Sequence, residues 1–314
     1  MNMLNNPMNK NWWKYIRISV WSMVALVGIL VFPEATSKLV ADEIRTPRKN
    51  HFANVQIEAK AAYVYDISTR KTLFAKSEQA VLPLASLTKM MTAVTALEQA
   101  PTSTLVTIDR KHLSEEGDSG LLVDEQWSLE NLLKFTLVVS SNDGAAAVAD
   151  AIGRGQTQSG SEITEREAFV KKMNDTSRRL GLTNMWFANE SGLDQSESVA
   201  GGYGSAQDVA RLIEYAVKYH PSIFKSTREA GVTVYSESDV AHTGKNTNII
   251  SQKIPGLIAG KTGYSTLAGG NLAVLFEAMP GRPVVIVVLG SSYDARFNDI
   301  ETLVTIAITA LKEQ

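Results

Sequence analysis

Residues 82–93 read Leu-Pro-Leu-Ala-Ser-Leu-Thr-Lys-Met-Met-Thr-Ala and place a serine, Ser86, at a predicted helix start. Lys89 follows three residues later, and positions i and i+3 share a helix face, so the hydroxyl and the amine are expected to meet. Serine is a poor nucleophile without a base, and lysine can be that base only where its pKa is lowered. The apolar residues after Lys89 predict a buried helix, which would desolvate the amine. The rest of the chain must then supply partners for this pair.

The composition is that of an ordinary globular protein. The chain has 314 residues, of which 44% are hydrophobic and 20% are charged, and its formal net charge is -2. Since no long basic run occurs either, this balance argues against a nucleic-acid partner. The sequence contains no cysteine, which excludes thiol catalysis, disulfides and thiolate metal sites.

The N-terminus carries a membrane-insertion signal. Pro33 closes an apolar run over residues 18–32, which three cations precede: Lys10, Lys14 and Arg17. Because no good small-x-small cleavage site follows, we favour an uncleaved anchor over residues 1–33 rather than a cleaved signal, which would give a secreted protein. The positive side stays in the cytoplasm, so the domain is expected outside the membrane. Residues 34–57 are polar and aperiodic and are predicted to form a tether.

Strand patterns occur at both ends of the remaining chain. A hairpin is predicted over residues 61–75, and β-type runs return from Val232 onwards. Helical patterns lie between them, at 129–139, 145–152, 164–181 and 206–219, with a surface loop at 153–161 and a terminal helix at 299–311. We therefore predict an α+β fold in a single domain, residues 58–314. Its antiparallel sheet would be formed from both chain ends and flanked by helices, with an inserted all-helical lobe.

Two further motifs accompany the serine and lysine. Ser140-Ser141-Asn142 lies at a break between two apolar helices, and Lys261-Thr262-Gly263 follows a β-type run. Ser-x-x-Lys alone is weak, because an exposed helical pair explains it equally well. A loop that turns polar groups inward between apolar helices needs a functional reason. The order and placement of all three motifs indicate one site assembled from distant segments.

With these motifs the sequence resembles the D-alanyl-D-alanine carboxypeptidase family, the low-molecular-weight penicillin-binding proteins, over residues 58–314. The segments that carry the resemblance beyond the motifs are 86–93, 127–133, 187–194, 246–248 and 260–264. The resemblance implies the β-lactamase/transpeptidase-like fold and a serine peptidase without cofactor or metal. It also implies peptidoglycan stem peptides as substrates and β-lactam antibiotics as covalent inhibitors.

The resemblance also implies roles for residues of this sequence. Ser86 is expected to be the nucleophile and Lys89 the general base, because Lys261, a second cation, and burial both disfavour protonation of Lys89. Ser140 is expected to relay the proton to the leaving group. Acyl transfer also needs donors for the oxyanion, for which the backbone N–H groups of Ser86 and Tyr264 are expected. The expected substrate-binding residues are Asn142, Lys261, Thr262, Gly263, Tyr264 and Arg296.

Several reactions remain open within this interpretation. The expected grip of Thr262 and Arg296 on a terminal carboxylate favours a carboxypeptidase, although Arg296 could also be an ordinary exposed arginine at a helix start. An endopeptidase that cuts cross-links is the alternative, and the end of the sequence shortly after Lys-Thr-Gly suits it. A serine β-lactamase is the third, since residues 190–194 superficially mimic the Glu-x-x-Leu-Asn segment of those enzymes.

Other classes are less well supported. Gly117-Asp118-Ser119-Gly120 resembles the nucleophile segment of trypsin-like proteases, which would need a catalytic histidine and a buried aspartate. A zinc peptidase would need ligand spacing that the four histidines lack. A wall-binding module with a decayed site is the non-enzymatic alternative, and the intact motifs argue against it.

Overall fold

The computed structural model describes residues 50–155 and 163–313. From His51 onwards the described residues form one compact unit. The predicted anchor, most of the tether and most of the predicted loop at 153–161 lie outside the described residues. In the part of the chain that is described, no helix is both long and apolar enough to cross a membrane.

A five-stranded antiparallel sheet organises the fold. Its strand order is β10-β11-β12-β1-β2, so β10 and β2 are the edges. The strands are β1 (Ala61–Asp66), β2 (Lys71–Lys76), β3 (Leu82–Pro83), β4 (Leu105–Thr107), β5 (Gln126–Ser128), β6 (Trp186–Phe187), β7 (Gly202–Gly204), β8 (Gly231–Tyr235), β9 (Ala241–Lys245), β10 (Leu257–Ser265), β11 (Gly269–Met279) and β12 (Arg282–Ser291). The pairing of β1 with β12 joins the two chain ends, which confirms the predicted sheet and hairpin.

The helices fill the sequence between the two groups of strands and close the chain. They are α1 (Thr88–Gln99), α2 (Leu129–Val139), α3 (Asn142–Arg154), α4 (Glu165–Arg179), α5 (Ala206–Tyr219), α6 (Pro221–Phe224) and α7 (Ala295–Lys312). Ser128 caps α2, and Thr164 caps α4 in a reciprocal capping box with Glu167. α7 begins at Ala295 instead of residue 299, because Ser292 Oγ accepts a hydrogen bond from Ala295 N and extends the helix backwards.

The hydrophobic core has two layers, one on each face of the sheet. The lobe layer lies between the sheet and the inserted helices, and the far layer lies between the sheet and α7. β12 serves both, because its side chains alternate: Val285 and Val287 enter the lobe layer, while Val284 and Ile286 enter the far layer. All four are fully buried. This double burial explains why β12 is a continuous apolar run in the sequence.

The prediction of an all-helical inserted lobe is wrong in one respect, because the lobe is mainly helical but also contains short strand pairs. β4 pairs with β5, β8 pairs with β9, and β7 joins β3 to β6. The β3–β7 contact fixes the chain just before Ser86. Phe52, from the predicted tether, stacks on Phe74 of β2 with ring centres 5.4 Å apart and belongs to the far layer.

Candidate active site

Ser86 lies in a tight turn at the entrance to α1. The turn is a short 3₁₀ helix, Ala85–Leu87, that runs directly into α1. Ala85 has a φ of 47°, in the left-handed region, which costs a non-glycine residue about 1–2 kcal/mol. Its carbonyl oxygen packs against Gly192, where a Cβ would lie only 1.9 Å away. Glycine at position 192 therefore leaves the room that this turn needs.

Lys89 is fully buried, and its amine lies among three acceptors. Nζ is 3.0 Å from Ser86 Oγ, 2.6 Å from Asn142 Oδ1 and 2.7 Å from Ser191 O. Burial lowers the pKa of Lys89 from its ordinary value of 10.5 to about 7. Near neutral pH, much of the amine is therefore unprotonated and able to accept a proton from the serine.

Burial is the largest cause of this lowered pKa, as the sequence analysis expected. The nearby carboxylates of Glu190, Glu115 and Asp143 raise the pKa of Lys89 against the effect of burial. The amines of Lys89 and Lys261 repel each other when both are charged, and this repulsion adds to burial in lowering the pKa of Lys261. Desolvation therefore accounts for the lowered pKa of Lys89.

The loop between α2 and α3 brings the second motif to the site. Ser140 ends α2 with a φ of 66°, and the Ser141 side chain caps α3. Asn142 uses both ends of its amide inside the protein, because Oδ1 accepts from Lys89 and Nδ2 donates to Glu116 O at 2.6 Å. Asn142 thus orients the Lys89 amine in this structure, and its expected contact with substrate stays a prediction.

The edge strand β10 forms the opposite wall. Lys261 is buried, and its Nζ donates to Ser140 Oγ at 2.8 Å. The strand passes directly against the nucleophile turn at Gly263, where a Cβ would lie 2.6 Å from Leu84 O and 3.3 Å from Ser86 N. Only a residue without a side chain allows two backbones to approach this closely. The third motif therefore needs its glycine for contact with the first.

Arg296 lies at the end of the site, in the first turn of α7. Its side chain is buried, so the alternative of an exposed arginine at a helix start is wrong. Nη1 donates to Gly263 O at 2.9 Å, and the guanidinium lies 4.5 Å from the centre of the Tyr293 ring. A cavity of about 270 Å³ opens between these elements. Its lining includes Ser86, Ser140, Thr247, Thr262, Tyr293 and Arg296.

The sequence analysis missed several contributors to this site. Thr247 Oγ1 accepts a hydrogen bond from Thr262 Oγ1 at 2.6 Å, and Tyr293 lines the cavity. Thr247 lies within a segment that carries the family resemblance, so that signal was present. The main-chain oxygens of Glu116 and Ser191 gave no signal, because any residue type would supply them.

The residues considered for a trypsin-like site and for a metal site have other partners in the structure. Ser119 Oγ lies 2.7 Å from Ser141 Oγ and 2.7 Å from an oxygen of Asp143, so its partners are not the histidine that a trypsin-like site requires. Among the described residues, Asp109, His112 and Asp150 could approach a metal. Lys111 and Arg154 already pair with Asp150, at 2.7 and 2.6 Å. With His112 they hold the pKa of Asp150 well below its usual range, although burial opposes them.

Comparisons with known proteins show the family to which the chain belongs. A family model described as D-alanyl-D-alanine carboxypeptidase matches residues 47–293. The chain is 32% identical over 247 residues to the D-alanyl-D-alanine carboxypeptidase DacF of Bacillus subtilis, covering 76% of this chain and 58% of that protein. It is 25% identical over 278 residues to a D-alanyl-D-alanine endopeptidase of Escherichia coli, covering 87% of this chain and 82% of that protein.

Solved structures share the fold. The D-alanyl-D-alanine carboxypeptidase DacD of Francisella tularensis superposes with a TM-score of 0.71 at 23% identity, covering 82% of this chain and 72% of that one. Penicillin-binding protein D2 of Listeria monocytogenes, in its ampicillin-bound form, gives a TM-score of 0.67 at 26% identity, covering 81% and 98%. The predicted α+β architecture of the β-lactamase/transpeptidase-like type is thereby confirmed.

Proposed function

Because the chain belongs to the D-alanyl-D-alanine carboxypeptidase family of serine peptidases, we propose that it removes the terminal D-alanine from peptidoglycan stem peptides through an acyl-enzyme at Ser86. The observation that carries this proposal is the contact between the two side chains of the first motif. Lys89 Nζ lies 3.0 Å from Ser86 Oγ, and burial lowers the pKa of Lys89 to about 7. A nucleophile within hydrogen-bond reach of such a base is what acyl transfer requires.

In the proposed acylation, neutral Lys89 takes the proton from Ser86 as Oγ attacks the carbonyl carbon of the penultimate D-alanine. The backbone N–H groups of Ser86 and Tyr264 would donate to the oxyanion. The contact of Gly263 with Ser86 N supports this pairing, because it brings the two backbones together. One such donor is typically worth about 3 kcal/mol of transition-state stabilisation.

Collapse of the tetrahedral intermediate breaks the peptide bond, and the leaving amine must gain a proton. Ser140 is the proposed relay, supported by the 2.8 Å hydrogen bond that joins its Oγ to Lys261 Nζ at the cavity wall. Water then attacks the ester at Ser86 and releases the shortened peptide, while Lys89 accepts a proton from the water and returns it to Ser86 Oγ. No cofactor enters either half of this reaction.

The carboxylate end of the cavity favours the carboxypeptidase reaction. Thr262, Gly263, Thr247 and Arg296 line one end, and a buried guanidinium makes strong charge-assisted hydrogen bonds to a carboxylate. Cutting of cross-links is the second candidate. It is favoured by the E. coli relative, which is named an endopeptidase and of whose length 82% is covered. The chain spans only 58% of DacF, so the preference between the reactions is part of this proposal.

Mass spectrometry separates these two reactions. The protein would be incubated with a defined pentapeptide and with a cross-linked muropeptide dimer. We expect loss of one D-alanine from the pentapeptide at a faster rate than conversion of dimer to monomers. Faster cutting of the dimer would make the endopeptidase the main activity.

The β-lactamase alternative depends on Glu190 as the residue that activates water. Glu190 is buried and pairs with Arg166, and it lines a cavity that does not include Ser86. This placement supports a long-lived penicilloyl adduct. Rapid turnover of a chromogenic cephalosporin would contradict that expectation.

Labelling with fluorescent penicillin tests the acyl-enzyme itself. The wild-type protein should be labelled covalently, and Ser86→Ala should abolish the label. Ser103→Ala, which removes an exposed hydroxyl outside the three motifs, serves as the matched control and should be labelled like the wild type. Absence of label on the wild type would remove the enzymatic proposal.

We also propose that residues 1–33 anchor the protein in the cytoplasmic membrane with the catalytic domain outside. The cationic residues before an apolar run support this orientation. Fractionation of cells that express the full chain should place it in the membrane, accessible to added protease from outside. Recovery of a shortened chain in the medium would indicate a cleaved signal instead.

A further inference from the structure

Two loops contribute to the site through main-chain oxygens. The loop at residues 115–120 supplies Glu116 O, which accepts from Asn142 Nδ2 at 2.6 Å. The loop at residues 188–194 supplies Ser191 O, which accepts from Lys89 Nζ at 2.7 Å. Because both acceptors are main-chain oxygens, the geometry of each hydrogen bond depends on the position of the loop backbone and not on the residue type. The orientation of the Lys89 amine thus depends on the relative position of these two loops.

One side chain outside the active-site cavity joins the two loops. Arg166, in the first turn of α4, donates from Nη1 to Glu115 Oε1 at 2.7 Å and from Nη2 to Glu190 Oε1. The Glu190 side chain is 1% exposed, that of Glu115 is 17% exposed and that of Arg166 is 34% exposed, so the pair with Glu190 is the better shielded of the two. A guanidinium that donates to two carboxylates in a partly buried position holds its geometry better than an exposed ion pair does.

We propose that Arg166 is a positioning residue for acylation: its guanidinium holds the two loops together, so that Glu116 O and Ser191 O orient Asn142 and Lys89 for proton transfer from Ser86. The inference rests on the proposed function, because it takes Lys89 to be the base.

Each loop also has its own tie to a helix. Thr92 Oγ1 on α1 donates to Glu190 O at 2.6 Å, and Ser119 Oγ donates to a carboxylate oxygen of Asp143 on α3 at 2.7 Å. These bonds remain when Arg166 is replaced. Loss of the guanidinium should therefore loosen the spacing between the loops without unfolding them.

The same guanidinium balances charge beside the base. The charged groups that face Lys89 are the carboxylates of Glu190, Glu115 and Asp143 and the amine of Lys261. The carboxylates raise the pKa of Lys89, and Arg166 pairs with two of them. Removing the Arg166 charge should let these two act more strongly and raise the pKa of Lys89. Removing the Glu190 charge should lower it.

The test is the pH dependence of the acylation rate of the full chain by fluorescent penicillin. With Arg166→Gln we expect the maximum rate to fall about tenfold, because the base is misplaced. The midpoint of the rising limb should also move up by about one pH unit. With Glu190→Gln we expect the midpoint to move down by about one pH unit.

Arg166→Lys separates position from charge. Lysine keeps the positive charge but cannot bridge two carboxylates in a planar fork, so the midpoint should stay near that of the wild type while the maximum rate still falls. Arg178→Gln is the matched control, because Arg178 lies on the same helix and pairs with Asp175 in an exposed ion pair. It should match the wild type in rate and midpoint.

The outcomes separate this inference from the proposed function. Absence of wild-type labelling would overturn the proposed function. If the wild type is labelled normally, the inference alone is tested by the midpoints of the pH dependence of acylation. Midpoints that do not move in opposite directions in Arg166→Gln and Glu190→Gln would overturn it. Should Arg166→Gln fail to fold, the downward shift in Glu190→Gln and the unshifted, slower Arg166→Lys still decide it.

Discussion

The two faces of the central sheet bury very different side chains. On the lobe side, the buried groups next to the core include two lysines, Lys89 and Lys261, and the carboxylate of Glu190. On the far side, the last helix buries the carboxylate of Asp299, whose oxygens accept from Glu58 N, Ala59 N and Ser291 Oγ. Neutral donors thus satisfy the carboxylate of Asp299, whereas the lobe side holds two lysines whose pKa values burial lowers.

This difference teaches how the fold separates stability from chemistry. Burying a lysine destabilises the folded state, and such groups persist where reactivity requires them. Burial of apolar side chains in the far layer stabilises the folded state and so offsets the destabilisation caused by the buried lysines. The two sets of side chains lie on opposite faces of the same strands. We therefore expect substitutions of the buried charged groups on the lobe side to change reactivity, and substitutions in the far layer to change stability without changing reactivity.

The largest expected effect is on reactivity, from Lys89→Arg on the lobe side. Arginine keeps the positive charge but does not give up its proton at accessible pH, so acylation of Ser86 should fall at least about a thousandfold. A time course of labelling with fluorescent penicillin, quenched at set times, measures the acylation rate. Thermal unfolding shows whether the fold is retained. Lys171→Arg, on the exposed side of α4, is the control. Appreciable acylation in a folded Lys89→Arg protein would overturn the assignment of the base.

Leu303→Ala makes the opposite change in the far layer. Leu303 is fully buried on α7, and the cavity left behind should lower the free energy of unfolding by about 2–5 kcal/mol. Urea denaturation measures this loss, with the exposed neighbour Thr302→Ala as control, expected within about 0.5 kcal/mol of the wild type. The acylation rate per folded molecule should not change. A large drop in that rate would break the proposed separation between the faces.

Arg296→Gln tests the carboxylate end of the site. A charge-assisted hydrogen bond contributes about 1.5–3 kcal/mol, so kcat/KM for a peptide with a free terminal D-alanine should fall about thirtyfold. The same peptide with an amidated C-terminus should be cleaved slowly by both proteins and change little. Equal losses for the two peptides would show that Arg296 supports the site without binding the carboxylate.

The smallest effect is on the pH dependence of acylation. Because neutral Lys89 is the active form and its pKa is about 7, the rate should fall about tenfold per pH unit below that value. The lowered pKa of Lys89 also determines how the free energy of unfolding changes with pH. Between about 7 and 10.5 the unfolded chain binds more protons at Lys89, so the free energy of unfolding should rise with pH across this window. Leu303→Ala should show the same midpoint for acylation, since it lies on the other face.

Local signals in the sequence predicted most of the fold. The continuous apolar run from Val284 to Leu289 indicated a strand, and the capping residues Ser128 and Thr164 marked two helix starts. These features depend on neighbours in sequence and on residue type. The start of α7 was missed by four residues, although Phe297 in its first turn continues the apolar repeat of Ile300, Leu303 and Val304.

The candidate site was predictable only in its motif residues. Ser86, Lys89, Ser140 and Lys261 come together as expected. The environment that sets their properties comes from tertiary contacts. Carboxylates from two loops act on the charge of Lys89, and the burial of Arg296 depends on aromatic rings brought beside it. Both features depend on residues distant in sequence, so no local sequence pattern predicts them.

The two edges of the sheet differ in a way that bears on solubility. β2 begins and ends with a lysine, Lys71 and Lys76, and charged side chains of this kind discourage another chain from adding a strand. β10 has its lysine turned inward, so its edge is shielded instead by packing, with Thr227 Oγ1 accepting from Gly260 N and the nucleophile turn against Gly263. Conditions that loosen the lobe would therefore expose an unguarded strand edge, and aggregation would begin at the strand that the active site requires.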